Sequence, residues 1–401
     1  MTDTALAPAP TYAALRERFA PLFAEIAAGS ATRERDRILP FEEVRRLREL
    51  GFPALMVPVA DGGDGVGLED FFRLLIDLAA ADASIAHLYR SHFLFLVSLA
   101  QAPEETRRRW YARAVAGDIV GNASSETDNT IGATGTKARE TDAGWVVDGR
   151  KYYSTGTIYA DWIMVTTTIE GRAGRQFSLV DARHPGVERI DDWNGFGQRL
   201  TGTGTTIFTG VPVDPADVFD RVDAAAEGPA LAQLYLLAVH AGIARAAADD
   251  ASTLVRGRTR VFNTGNGARF RDDPQILQII GEVSSLAHAA SAIVLDAARL
   301  FDRTFADDRE QYLERELAVD RAHVVVPELT LQATQKIFDA LGSSSLATDL
   351  ALDRHWRNAR TVATHNPRVF KARLVGDYEV NGTEPVGLWG IGAFDETKPA
   401  G

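Results

Sequence analysis

The hydrophobic period of this chain changes twice, and those two changes restrict the folds open to it. From Thr11 to about Gly117 apolar residues recur at three- and four-residue steps, as at Leu15, Phe19, Leu22, Phe23 and Ile26, the spacing that gives a helix one apolar face. A second such run follows Pro40, Gly51 and Pro53 end it, and the glycine-rich loop 61–67 leads into expected helices over 68–81 and 85–99. From Asp118 β-branched and aromatic residues alternate with polar ones, the two-residue period of strands. Residues 145–153 are expected as a hairpin turning at Asp148-Gly149, with further strands over 161–169, 176–181 and 205–209. After Gly228 the helical period returns in four stretches, 229–257, 274–306, 309–341 and 347–363, before an extended tail over 376–401. The expected class is α+β in three units: an N-terminal helical domain at 1–117, a central β domain at 118–222, and a C-terminal four-helix bundle with its tail at 223–401.

Cysteine is absent, so disulfides, thiolate nucleophiles and Cys-ligated zinc or iron–sulfur centres are excluded, and any chemistry uses other side chains or a bound cofactor. A formal net charge of -12 argues against a nucleic-acid or anionic-membrane partner. Residues 1–10 lack a basic stretch followed by an apolar one, and no segment reaches about 18 uninterrupted apolar residues. A soluble, cytoplasmic protein is expected.

The glycine cluster Gly63-Asp-Gly65-Val-Gly67 lacks the spacing and the βαβ setting of a dinucleotide site. Residues 200–206 read as a bend rather than a phosphate cradle. His87 and His92 fall five residues apart on one expected helix, about 140° around its axis, which disfavours a shared metal ion; no metal site is expected. Either they line a ligand site, or one packs in the core while the other caps a surface. Arg256-Gly-Arg258-Thr-Arg260 reads as a solvated helix end or an anion site.

A helical unit, a β unit opening near Asn122-Ala-Ser-Ser-Glu126, the strand Lys151-Tyr-Tyr-Ser-Thr-Gly156 and a four-helix bundle, in that order, resemble the acyl-CoA dehydrogenase superfamily over nearly the whole chain. By that resemblance the middle unit is β-barrel-like. The run Leu352-Asp-Arg-His-Trp-Arg-Asn-Ala-Arg-Thr361, followed by Thr364-His-Asn-Pro367, looks like the flavin-dependent monooxygenase branch, the dibenzothiophene monooxygenase-like enzymes. The resemblance implies that Asn122, Ser124 and Ser125 meet the flavin pyrimidine edge and that Tyr153 and Thr155 lie against the ring near N5. It also implies that Arg258 reaches a phosphate of the flavin in a neighbouring subunit, and that Gly342, Ser343 and Ser344 form the helix end beside the cofactor's phosphate region. Hydroxyl, amide and backbone donors suit these tasks, although ordinary polar strand ends account for the same residues.

Departures from the superfamily pattern bear on the reaction. A dehydrogenase takes its substrate's α-proton with a carboxylate, in the segment matching 363–367 or on the helix matching 229–248. Asn366 stands in the first place, and 229–248 contains no Asp or Glu. An amide cannot accept that proton. The Glu-Pro-Gly-type turn after the flavin strand is changed to Glu126-Thr-Asp-Asn129. The implied function is a two-component, reduced-flavin-dependent monooxygenase that passes oxygen from a C4a-hydroperoxide to a small organosulfur or aromatic substrate. His365, and His87 or His92, would donate to the oxidant beside Thr155. FMN reduced by a separate flavin reductase is the implied cofactor, with FAD as the alternative; molecular oxygen and a small-molecule substrate are the other partners, in a homotetramer. An acyl-CoA dehydrogenase or oxidase with FAD and a displaced base, and a non-catalytic flavin-binding protein, are the competing readings. Which of Phe93, Leu96, Phe196, Phe262 and Phe370 converge would decide the substrate.

Overall fold

The structure, a computed structural model, describes residues 8–127, 135–172, 174–220, 228–302 and 309–385. Six helices come first: α1 Tyr12–Asp36, α2 Phe41–Glu49, α3 Leu68–Ala81, α4 Ala83–Leu88, α5 Arg90–Ser98 and α6 Glu104–Val115. Thr11 starts α1 by accepting from the Ala14 N–H, and Asp82 starts α4 by accepting from Ser84 and Ile85. The stripe Leu15, Phe19, Leu22, Phe23 and Ile26 is buried as its spacing requires. Phe19 meets Phe52 edge-on, and Phe52 meets Tyr89 and Phe93, so aromatic packing ties the helices into one core. The helix expected over 85–99 is broken at Tyr89, whose N–H bonds the nearby His87 carbonyl instead of one four residues back.

Eight strands follow: β1 Val120–Ala123, β2 Lys137–Thr141, β3 Gly144–Lys151, β4 Trp162–Thr167, β5 Gln176–Asp181, β6 Val187–Ile190, β7 Thr205–Pro212 and β8 Val218–Asp220. They form two four-stranded sheets, in orders β1-β4-β5-β8 and β2-β3-β7-β6, with β1 and β4 parallel and the other neighbours antiparallel. Ala123, Ile163, Val165 and Val180 of one sheet pack on Ala138, Val147, Phe208 and Val211 of the other. The hairpin expected at Asp148-Gly149 is not formed. β3 runs through that pair with a register slip between Val147 and Gly149, and the turn lies between Thr141 and Gly144. Gly149 is needed for close approach: at φ 148°, a Cβ there would stand 2.5 Å from Thr136 Oγ1.

The chain ends in α7 Gly228–Gly257, α8 Pro274–Arg299, α9 Arg309–Leu341, α10 Asp353–Ala363 and α11 Arg368–Asn381. Ala238, Val239, Ala241, Ile243 and Ala244 are all buried, so over this stretch α7 is enclosed by protein on every side, as the centre of a bundle is. Gly242 lets it touch α3 directly, since a Cβ there would stand 2.3 Å from Ala79 Cβ. The tail expected over 376–401 is corrected in its first part: Pro367 precedes a helix, and Lys371 anchors it by a buried ion pair with Asp320, 2.7 Å long. Residues 386–401 of that expectation lie outside the described residues. Both α7 and α8 have the length and apolar composition of a membrane span; the most apolar window of α7 is 89% buried and that of α8 only 22%.

Candidate active site

The turn between α10 and α11 carries Thr364-His-Asn-Pro367. Asn366 Nδ2 donates to Gln233 Oε1 on α7 and to His365 Nδ1, each at 2.8 Å, and its carbonyl accepts from His323 Nε2 of α9 at 2.9 Å. An amide nitrogen only donates, so His365 Nδ1 holds a lone pair and the ring proton sits on Nε2. His365 as a whole residue is exposed. Burial, then the Arg90 cation, then His87 and His323 hold its pKa well below the ordinary imidazole value.

His87 lies beside it, ring centroids 6.5 Å apart. Its Nδ1 meets Gln198 Oε1 at 2.9 Å; a carbonyl oxygen only accepts, so Nδ1 carries the proton and Nε2 is an acceptor. Burial lowers His87 to about 4, against the opposing Gln198 hydrogen bond. Two neutral imidazoles of opposite tautomer therefore stand side by side. His240, one more histidine of the cluster, is buried with neither nitrogen bonded and is lowered to about 3, by burial first and then by His323 and His87.

Gln198, at φ 52°, links the histidines to the β unit. Its N–H donates to Asn358 Oδ1 at 2.5 Å, and its carbonyl accepts from Thr201 Oγ1 at 3.0 Å. From Thr201 a ladder of hydroxyls continues to Thr203 (2.7 Å) and Thr155 (3.0 Å). The segment read as a bend over 200–206 thus supplies two rungs. The Thr155 carbonyl accepts from the Asn122 N–H (3.4 Å), Ser124 Oγ donates to Asn122 Oδ1 (2.8 Å), and Ser125 pairs with Tyr152. Tyr153 adopts φ 56° and is 52% exposed as a residue, with its ring 6.0 Å from the Trp193 ring. The structure therefore brings Asn122, Ser124, Ser125, Tyr153 and Thr155 together. An accessible edge of hydroxyls and amides flanked by an exposed aromatic fits a planar heterocycle with a polar rim, as a flavin is.

Other expected residues lie elsewhere. His92 is corrected: it is fully buried on α5, its Nε2 donates to the Pro53 carbonyl (2.8 Å) and its Nδ1 accepts from the Val120 N–H (3.3 Å). No nitrogen is left for a substrate, and His92 pins the first helices to β1. Arg258 and Ser344 do meet, at 3.3 Å, and the guanidinium also donates to the Leu341 and Arg260 carbonyls and covers the Phe262 and Phe270 rings. Gly342 lies at the same corner with φ 67°, and Ser343 is exposed beside it. That corner is about 37 Å along α7 from Gln233, at 1.5 Å per residue.

Glu126 is held by Lys151 (2.6 Å) and by Thr136, while Asp128 and Asn129 of that turn lie outside the described residues. The five apolar candidates do not converge: Phe93 and Leu96 belong to the core, Phe196 stacks on Trp356, Phe262 lies under Arg258, and Phe370 is exposed on α11. Sequence reasoning missed Gln198, Gln233, His240, His323 and Arg90. Gln233 and His240 left a visible signal as polar residues in the apolar run that opens α7, and Arg90 as one of the polar residues in the apolar run 86–93.

A family profile for the acyl-CoA dehydrogenase N-terminal domain matches residues 10–118, and one for the acyl-CoA dehydrogenase C-terminal domain matches residues 234–368. The chain belongs to the acyl-CoA dehydrogenase family. It is 29% identical over 384 residues to dibenzothiophene monooxygenase of Mycolicibacterium goodii, covering 90% of each chain. It also resembles two solved structures at 26% identity. One is FMN-bound TdsC from Paenibacillus sp. A11-2, with TM-score 0.87 and coverage of 92% of this chain and 98% of that one. The other is methanesulfinate monooxygenase MsuC from Pseudomonas fluorescens, with TM-score 0.85 and coverage of 93% and 98%.

Proposed function

We propose that this chain is the oxygenase of a two-component, reduced-flavin-dependent monooxygenase acting on a small organosulfur or aromatic molecule. The observation that carries this reading is the bond from Asn366 Nδ2 to His365 Nδ1, which puts a proton donor where a dehydrogenase of this fold needs a carboxylate base. The sulfur-oxidising relatives support the substrate class. FMN is the cofactor that fits, held by Asn122, Ser124, Ser125, Tyr153 and Thr155. When bound in its reduced form it supplies the two electrons that activate molecular oxygen.

The side chains do the rest. The neutral His365 ring donates a hydrogen bond from Nε2–H to the oxygen atom that leaves as water and steadies it while that oxygen takes up its proton. His87 Nε2 accepts a proton from substrate or water. The Thr155 hydroxyl, backed by Thr203, Thr201 and Gln198, holds a fixed donor or acceptor over the reacting edge. One oxygen atom joins the substrate and the other becomes water, with two electrons and two hydrogens drawn from the reduced flavin. A separate reductase supplies that flavin. The distance of about 37 Å along α7 between Gln233 and Arg258 supports a role for Arg258 at the flavin of a second copy. The largely uncovered apolar window of α8 supports burial against other copies, in a homotetramer, and a cytoplasmic location belongs to the same proposal.

Mixing the protein with reduced FMN, oxygen and a substrate panel should give a product one oxygen heavier. Anaerobic bleaching of bound oxidised flavin by a short-chain acyl-CoA would overturn the reading.

A further inference from the structure

We propose that Arg90 is the substrate-binding cation of this cleft, and that the substrate carries a small two-oxygen anion, a sulfinate or a carboxylate, and is not a neutral aromatic. The inference rests on the monooxygenase reading for the identity of the cleft and deepens it.

Arg90 opens α5, three residues after His87. Its Nε donates to the Ala232 carbonyl at 3.0 Å, beside the Gln233 that holds Asn366, so the guanidinium is fixed on the same wall as His365. Three other enclosed arginines meet carboxylates: Arg33 pairs with Glu43 and Asp82, Arg354 with Asp250, Arg357 with Glu34. Arg90 meets none among the described residues. Among the described residues the titratable groups that face it are Tyr235, His87 and His365, all without negative charge near pH 7. Burial without a counter-charge lowers even this guanidinium, to about 10.

Among the described residues its Nη1 and Nη2 have no hydrogen-bond partner, and Arg90 is only half-buried, as a residue on the wall of a cleft is. A guanidinium presents parallel N–H groups at the spacing of two oxygens on one atom. The neighbourhood has a surplus of donors as well: Gln198 and Gln233 use their oxygens on His87 and Asn366, and each leaves an Nε2 without an acceptor. A two-oxygen anion supplies the acceptors and the charge that this wall lacks, whereas a neutral aromatic leaves an enclosed cation uncompensated. The same cation helps hold His365 and His87 unprotonated. An anion on Arg90 offsets that repulsion at both rings.

The test uses the full chain. Methanesulfinate, propionate and the neutral, size-matched dimethyl sulfone are titrated by calorimetry into the wild type, Arg90→Met and Arg90→Lys, and oxygenation with reduced FMN is followed separately. At least one anion should bind the wild type about 30-fold more tightly than the sulfone, the scale of a charge-assisted hydrogen bond. Arg90→Met should abolish that preference, and Arg90→Lys should keep part of it. The better-bound anion names the source, sulfur or carbon. Equal affinity of the wild type for anions and sulfone, or an unchanged anion Kd in Arg90→Met, overturns the inference. Should Arg90→Met fail to fold, the wild-type ratio and Arg90→Lys decide the matter. Anion binding that is never followed by an oxygenated product overturns the monooxygenase reading and leaves Arg90 as the anion site.

Discussion

Asn366 Nδ2 and His365 Nδ1 are 2.8 Å apart, and because an amide nitrogen only donates, this one bond decides which edge of the imidazole carries its proton. Asn366→Asp exchanges the donor for an acceptor, draws the proton onto Nδ1 and leaves Nε2 as a lone pair. Coupled oxygenation should fall by roughly 10²–10⁴-fold, the range for losing a positioned acid, with hydrogen peroxide released in place of product. His365→Ala should do the same. Product yields equal to wild type in both variants would remove His365 from the chemistry.

Thr155 and Thr203 share a 3.0 Å hydroxyl contact at the end of the ladder that starts from Gln198. Thr155→Val keeps the shape and deletes the end group, so peroxide released per product formed should rise about tenfold, the loss of one hydrogen bond of about 1.4 kcal/mol. Unfolding by heat should be little changed, because Thr203 keeps its bond to Thr201. An unaltered peroxide-to-product ratio would put the flavin edge elsewhere.

Arg258→Ala separates two roles. If Arg258 contacts the phosphate of a flavin in a second subunit, the Kd for FMN should weaken by about 1.5–3 kcal/mol, the value of a hydrogen bond to a charged group. A loss of thermal stability with unchanged FMN affinity would limit Arg258 to its bonds with Leu341 and Ser344 and its packing on Phe262 and Phe270.

Glu316 and Asp320 stand one turn apart on the buried stripe of α9, and Lys371 supplies one positive charge for the two carboxyls. Burial first, then the Asp320 charge, pushes Glu316 up from 4.5 to about 7. Below pH 4.5 the group is protonated both folded and unfolded and affects nothing. Between 4.5 and 7 only the folded chain keeps the proton, so stability falls as pH rises, by about 3 kcal/mol in all, and then levels off. Urea unfolding across pH 5–8 should show that slope in the wild type and not in Glu316→Gln. Parallel stability curves for the two proteins would mean that Glu316 titrates alike in both states.

Elements whose pattern is local were legible in the sequence. Leu68–Ala81 and Gln176–Asp181 form where their periods put them, because each buries a face that its own residues spell out. Asp148-Gly149 misled for the opposite reason: the glycine answers to Thr136, on a different segment, and not to a turn of its own. The site divides in the same way. His365, Thr155 and Asn122 could be named from motif order. Their working state could not, since it depends on Gln198 meeting His87 across 111 positions and Gln233 meeting Asn366 across 133. His92 looked equivalent to His87 until the break at Tyr89 set the two rings in different surroundings.

The contact between Gly242 and Ala79 bears on how this enzyme can be re-engineered. Any side chain at 242 would wedge α7 away from α3, and α7 carries Gln233 nine residues earlier, so the shift would travel straight to the Asn366 clamp. The α7 side of the cleft is therefore a fixed wall. Variants meant to admit bulkier molecules should be sought in the loops at 196–204 and 364–367, where the backbone can be reshaped without parting two helices.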